Sequence, residues 1–273
     1  MNLNEVLKSL FCVHKIDEMD RRMFLAAGGR MAGGSALAGL FSMVRPRRRG
    51  GGGVKAILFD AFPVFDPGGI VSLAERLYPG KGRILVDAWR NRQFEYSWLR
   101  TVADCWMDFF SLTADALVYA SELVGLAVGE KERSLLMEEY YCLRVWPDVP
   151  AALQELTDSG YRLGFLSNFT HEMLQRNTER CGIGGHFSHL LSADAVRRYK
   201  PDRRTYQMGM ENLRVDAEEI LFVASAGWDA WGAKQFGYET FWVNRGQAPP
   251  EKLGVMPDGT GKDLNDLVNY LRR

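Results

Sequence analysis

Two hydrophobic spacings alternate along the chain after Val54. Short apolar runs, too brief for a helix of their own, recur at 54–59, 161–166, 187–192, 219–224 and 239–243 and read as strands. Between the later runs, helical spacing predicts helices over 148–158, 170–181, 202–213, 229–236 and 262–272, with Gly160, Gly182, Gly184 and Gly237 punctuating their ends. Strands rich in Leu, Phe and Val that alternate with helices predict an α/β fold, with a parallel sheet covered on both faces. The interval 68–146 breaks this alternation. There Leu85, Trp89, Phe94, Trp98, Val102, Trp106 and Phe109 recur every three to five positions, which predicts an amphipathic helix or helix pair. Segments 112–125 and 130–145 add two more, broken at Gly129-Glu130-Lys131. The expected organisation is a core of 54–67 and 147–273 with a helical cap, 68–146, inserted after the first strand.

Residues 1–53 have a different character. Asp20-Arg21-Arg22-Met23-Phe24-Leu25 precedes a mild Gly- and Ala-rich apolar run, 31–44, and then a basic, Gly-rich linker at 45–53. The run is too short for a stable membrane span. Paired arginines, then Phe-Leu and a weakly hydrophobic stretch, resemble a twin-arginine export signal, which implies a periplasmic protein. A disordered basic tail on a cytoplasmic protein is the other reading.

Composition narrows the classes. A chain that is 47% hydrophobic and 25% charged has the makings of a substantial soluble core. Its 34 basic and 34 acidic side chains balance, so nothing electrostatic points to nucleic acid or an anionic membrane as partner. Cys12, Cys105, Cys142 and Cys181 form no Cys-x-x-Cys pair, and neither a zinc site nor a disulfide framework is expected.

Candidate chemistry gathers at the strand ends. The first run ends in Asp60, delivered to the carboxyl edge of the sheet, where open α/β folds bind ligands. The second ends at Ser167-Asn168, just before a helix whose first backbone N–H groups form a natural anion site. A later loop carries Tyr199-Lys200-Pro201-Asp202 ahead of a helix with Tyr206, and the next strand runs into a helix that starts at Asp229. Taken singly, Asp60, Ser167 and Asp229 read as turn or helix caps and Lys200 as a solvated lysine. An acid, a hydroxyl, a lysine and a second acid, in this order and all at one sheet edge, exceed what capping explains.

This order resembles the haloacid dehalogenase superfamily over roughly 54–271. The segment Ala88-Trp89-Arg90-Asn91-Arg92-Gln93-Phe94-Glu95-Tyr96-Ser97-Trp98-Leu99-Arg100, with FLSN, YKPD-x-x-x-Y and GWDA-x-GA, is most similar to the L-2-haloacid dehalogenases. The resemblance implies a Rossmann-like core with a helical cap over the active site, and a hydrolase that cleaves the carbon–halogen bond of short 2-haloacids through an aspartyl ester. Asp60 is then the nucleophile, with Lys200 and Asp229 beside it. Ser167, Asn168 and Tyr206 contact substrate, Arg90 receives the halide, and Phe62, Phe94, Trp98 and Phe109 form the wall. Phosphatases of the superfamily place an Asp two residues after the nucleophile and a metal-binding Asp at the position four residues before Asp229; here those positions hold Phe62 and Ser225. No cofactor is therefore expected. The resemblance also suggests a homodimer, without marking an interface.

Two stretches depart from the family pattern. Asp-x-Tyr-Gly-Thr is replaced by Asp60-Ala61-Phe62-Pro63-Val64, and Ser-Ser-Asn-Ala-Trp-Asp by Ala224-Ser225-Ala226-Gly227-Trp228-Asp229. Pro63 lacks an N–H, Val64 lacks a hydroxyl, and two further polar groups are gone. A magnesium-dependent phosphatase and a catalytically impaired small-carboxylate binder are the alternatives this leaves.

Overall fold

The structure, a computed structural model, describes residues 53–273. The twin-arginine-like segment and nearly all of the basic linker lie outside the described residues. Among the described residues no helix is long and apolar enough to cross a membrane.

Six parallel strands form the sheet: β1 (Ala56–Phe59), β4 (Arg162–Ser167), β5 (Phe187–Ser192), β6 (Ile220–Ala224), β7 (Glu239–Val243) and β8 (Gly259–Gly261). Their order is β5-β4-β1-β6-β7-β8. The chain leaves β1, builds outward on one side through β4 and β5, then crosses to the other side for β6. That crossing makes β1 the strand at which the winding direction changes, and crevices open at the carboxyl edge of such strands. Every residue of β1 is buried, and the two faces separate with period two. Ile57 and Phe59 join Phe165, Val223 and Phe241 on one side; Ala56 and Leu58 join Leu166, Phe222 and Tyr238 on the other. A strand packed on both faces has no use for polar residues until it ends, which is where Asp60 stands.

After β1 come a one-turn helix α1 (Ala61–Val64) and a two-residue strand β2 (Phe65–Asp66). Four helices follow: α2 (Gly68–Leu77), α3 (Gly82–Val102), α4 (Phe109–Leu123) and α5 (Glu130–Glu138). The chain returns through β3 (Arg144–Val145), which pairs antiparallel with β2 and so brings the entry and exit of the helical insertion side by side. The core then continues with α6 (Val149–Asp158) and α7 (His171–Arg180) on either side of β4. Next come α8 (Arg203–Leu213) before β6, α9 (Gly227–Phe236) after it, and α10 (Leu264–Leu271) after β8.

Helix and strand positions follow the hydrophobic spacing closely in the core. Differences fall where that spacing is short or absent. The β2–β3 ribbon and β8 carry too few apolar positions to announce a period, and the expected helix over 130–145 stops at Glu138 before a 3₁₀ turn, Glu139–Tyr141, and β3. Helix α9 begins at Gly227, two residues before the expected start, which changes the role of Asp229.

Candidate active site

A cleft of about 510 Å³ lies over the carboxyl edge of β1, β4 and β6. Its floor comes from the strand ends and its far wall from α3 and α4. Asp60, Phe62, Arg90, Phe94, Phe109, Ser167, Asn168, Phe169, Lys200, Ser225, Ala226, Trp228 and Asp229 line it. Nine of the eleven residues singled out from sequence are thus brought together, although they span some 170 positions of chain.

Lys200 organises the floor. Only 1% exposed, its ammonium donates to Asp60 Oδ1 at 2.8 Å, to Asp229 Oδ2 at 2.6 Å and to the carbonyl of Leu166 at 3.2 Å. Three donors meet three acceptors, which satisfies a buried ammonium completely. Burial opposes its charge, but Asp229 and Asp60 outweigh burial, so its pKa lies above the ordinary lysine value. A backbone bond holds the loop as well, because Asn168 Oδ1 accepts the Lys200 N–H at 3.0 Å.

Asp60 is the N-cap of α1, accepting from the Phe62 N–H at a long 3.4 Å through Oδ2. Its Oδ1 takes Lys200 and the Ser167 hydroxyl, the latter at 3.2 Å. Oδ2 is therefore the less committed oxygen. Ser167 Oγ also accepts the Phe169 N–H at 3.2 Å, so the hydroxyl ties the Asp60 carboxylate to the backbone that follows β4. Ser167 does not cap α7; Thr170 does, through the Met173 N–H.

Asp229 sits inside the first turn of α9 rather than at its cap, and its carboxylate turns inward. Tyr206 donates to Oδ1 at 2.7 Å while Lys200 holds Oδ2. Burial pushes the Asp229 carboxyl up to about 6, with the Asp60 charge adding to the rise and Lys200 and Tyr206 pulling the other way. Tyr206 is itself fully buried, and burial together with the Asp229 charge raises its phenol well above the usual range, so it stays a donor. Gly232 makes this approach possible. A Cβ there would stand 2.6 Å from Tyr206 Oη and 2.8 Å from Pro201 Cβ, which is why the Gly-Ala pair ends the GWDA-x-GA stretch.

The far wall is aromatic. Arg90 of α3 lies over the Phe62 ring, 5.0 Å from its centroid. Phe62 meets Phe169 edge-on at 5.3 Å, and Phe109, the first residue of α4, packs on Phe169 at 5.7 Å. Phe94 faces Trp228 at 5.4 Å.

Two sequence expectations need correction. Tyr206 does not line the cleft; it stands behind Asp229 and reaches the site only through that carboxylate. Trp98 does not line it either, because it lies one helical turn beyond Phe94, 36% exposed, stacked on Phe94 and meeting Trp228 edge-on. Conversely, Trp228 was not singled out. Its signal was its place between the end of β6 and Asp229, where any large side chain must face the cleft.

Among the described residues no group of three or more His, Cys, Asp or Glu side chains is placed to hold a metal ion. The cation that balances Asp60 and Asp229 is the protein's own ammonium.

A parallel sheet of this order, with an acid after its central strand and a helical insertion before the second, defines a Rossmann-like α/β core with its cleft at the switch strand. The model of the haloacid dehalogenase-like hydrolases matches residues 69–237, and the chain belongs to this family. It is 37% identical over 219 residues to haloacetate dehalogenase H-2 of Moraxella sp. (strain B), covering 80% of this chain and 98% of that one. It is also 37% identical over 216 residues to the (S)-2-haloacid dehalogenase of Pseudomonas sp. (strain YL), covering 79% and 93%. Among solved structures, L-2-haloacid dehalogenase from Xanthobacter autotrophicus with chloropropionic acid covalently bound superposes with a TM-score of 0.72. That match has 33% identity and covers 80% of this chain and 98% of that one.

Proposed function

We propose that the protein hydrolyses short (S)-2-haloacids by nucleophilic displacement at carbon. The observation that carries this reading is the Asp60–Lys200–Asp229 chain of ion pairs at the floor of a small aromatic cleft. Asp60 Oδ2 attacks C2 from the side opposite the halogen; the new C–O bond forms as the carbon–halogen bond breaks, and halide leaves with the bonding electrons. The insertion acts as a cap, presenting the Arg90 guanidinium to the leaving halide. Ser167 and the backbone N–H of Asn168 hold the substrate carboxylate, Ser167 exchanging its bond to Asp60 for one to substrate. Phe62, Phe94, Phe109 and Trp228 exclude water from the displacement.

Water then attacks Cγ of the Asp60 ester. Asp229 takes a proton from it and passes that proton to the alkoxide oxygen as the ester bond between Cγ and Oδ2 breaks; a 2-hydroxy acid with inverted C2 leaves, and the new Asp60 carboxyl releases the second water proton to solvent. Lys200 stays protonated throughout, so the floor never carries two unopposed carboxylates. The (S)-2-haloacid dehalogenase relatives and the covalent chloropropionate complex support this choice of substrate.

The test is incubation with (S)-2-chloropropionate, reading chloride release and the mass of the Asp60 peptide. Chloride release and a trapped ester at Asp60, both lost in Asp60→Asn, are expected. Magnesium-dependent phosphate release from phosphate esters, with no halide and no adduct, would overturn the reading. For the N-terminal segment we propose twin-arginine export, supported by Arg21-Arg22-Met23-Phe24-Leu25. Replacing both arginines by lysine is expected to keep the protein in the cytoplasm on cell fractionation.

A further inference from the structure

Three consecutive carbonyls downstream of Asp60 are gripped from outside the cleft. Trp146 Nε1 donates to the Phe62 carbonyl at 3.1 Å, Arg245 Nη2 to the Pro63 carbonyl at 3.0 Å, and the Trp146 N–H to the Val64 carbonyl at 3.1 Å. The gripping side chains are joined to each other. The Arg245 guanidinium lies 4.5 Å from the Trp146 ring centroid and makes a two-pronged pair with Asp148 at 2.9 and 2.8 Å. Asp148 Oδ2 also accepts the N–H of Leu264, the first residue of α10, at 2.8 Å. Burial works against the Asp148 charge, yet its bonds to Arg245 and Leu264 hold the carboxyl below the ordinary range. The pair is largely sheltered, with side chains 18% and 11% exposed.

This brace draws on three separate parts of the fold. Arg245 follows β7, Asp148 opens α6, and Trp146 directly follows β3, where the helical insertion returns. None of the three lines the cleft. Arg245 and Trp146 converge, with Asp148 behind Arg245, on the turn that contains Pro63, which has no N–H, and Val64, which has no side-chain hydroxyl. A turn short of its own donors is held instead by its acceptors.

We propose that Arg245, backed by Asp148 and Trp146, is a positioning residue that aims the Asp60 carboxylate by clamping the carbonyls of the turn it caps. Displacement at carbon needs the attacking oxygen in line with the breaking bond, and a misplacement of about 1 Å from outside the site can cost about a hundredfold in rate. The inference rests on Asp60 being the nucleophile proposed above.

The test compares single-turnover formation of the Asp60 adduct, per folded molecule, in the wild-type chain and in Arg245→Met, Arg245→Lys and Trp146→Phe, with melting temperatures measured alongside. Arg245→Met is expected to alkylate roughly 10- to 100-fold more slowly, with apparent substrate affinity changed less than about threefold. Arg245→Lys keeps a charge but not the fork, and should recover part of that loss. Trp146→Phe keeps a ring and removes one donor, and should lose about three- to tenfold. Lys234→Met, which breaks the Lys234–Asp258 ion pair, neither partner of which lines the cleft, should lower the melting temperature without slowing alkylation. Arg245→Met and Trp146→Phe alkylating at the wild-type rate, whatever their melting temperatures, would overturn the inference. If Arg245→Met does not fold, Arg245→Lys and Trp146→Phe decide the question by the same criterion. A wild-type chain that forms no adduct sinks the displacement reading and this inference with it; a wild-type adduct with unchanged variants sinks the inference alone.

Discussion

At the floor of the cleft, charged atoms meet at 2.6–3.2 Å: Lys200 between two carboxylates, Tyr206 and Ser167 closing the remaining sides. Across from it, the wall supplied by α3 and α4 makes ring contacts at 5–6 Å centroid separation, Arg90 on Phe62, Phe94 on Trp228, Phe109 on Phe169. The floor is held by directional bonds that fail if one partner goes. The wall is held by dispersion and shape, which tolerate exchange. In the proposed function, chemistry therefore belongs to the floor, and the choice of substrate to the wall.

The largest effect should come from removing the shared cation. Lys200→Met leaves two carboxylates facing each other in a buried site, and is expected to cost about 3–5 kcal/mol of stability by denaturant titration and to abolish halide release. A melt within error of wild type would show that the floor is less dry than its burial indicates.

Acid pH probes the same contrast from the Asp229 side. A base must be deprotonated, so ester hydrolysis should fall about tenfold per pH unit below the Asp229 pKa. That pKa is about 6 when Asp60 is charged. Alkylation converts Asp60 to a neutral ester and removes one cause of the rise, so the acid limb for hydrolysis of preformed adduct should fall below 6. Tyr206→Phe removes a hydrogen bond that lowers the pKa and should move this limb upward, while slowing hydrolysis roughly tenfold. A limb that stays put would place the base elsewhere.

Smaller effects follow from packing. Gly232→Ala forces a methyl against Tyr206 and Pro201 and should destabilise by about 1–3 kcal/mol, measured by thermal melting. On the wall, Phe94→Ala should change the preference between 2-chloropropionate and chloroacetate by about tenfold, with the displacement still occurring. Trp98→Ala, one turn further out and partly exposed, should alter that preference less than Phe94→Ala does. Equal effects of the two would mean that Trp98 reaches substrate after all.

The floor was legible in the chain from two kinds of signal. A strand buried on both faces must be apolar until it ends, so a polar residue at that point stands out, as Asp60 after β1 and Ser167 at the end of β4 do; Lys200, in the loop before α8, and Asp229, in the first turn of α9, were marked instead by the YKPD and GWDA stretches. The wall was only half legible. Helical spacing puts Arg90, Phe94 and Trp98 on one face, but how far along that face the cleft extends depends on where α3 crosses β1, β4 and β6. Tyr206 was marked for the site, yet its depth behind Asp229 comes from the close approach allowed at Gly232.

Local order along the backbone accounts for the parallel sheet, the helical insertion and the polar residues that close β1 and β4, because hydrophobic period and chain breaks are properties of neighbouring residues. Which carboxylate oxygen Lys200 takes, whether Asp229 caps a helix or turns inward, and how Arg245 comes to hold a turn 182 positions earlier are matters of long-range packing. Their energies arise only when distant segments exclude water together, since each of these bonds gains its strength from the desolvated setting that the whole fold creates.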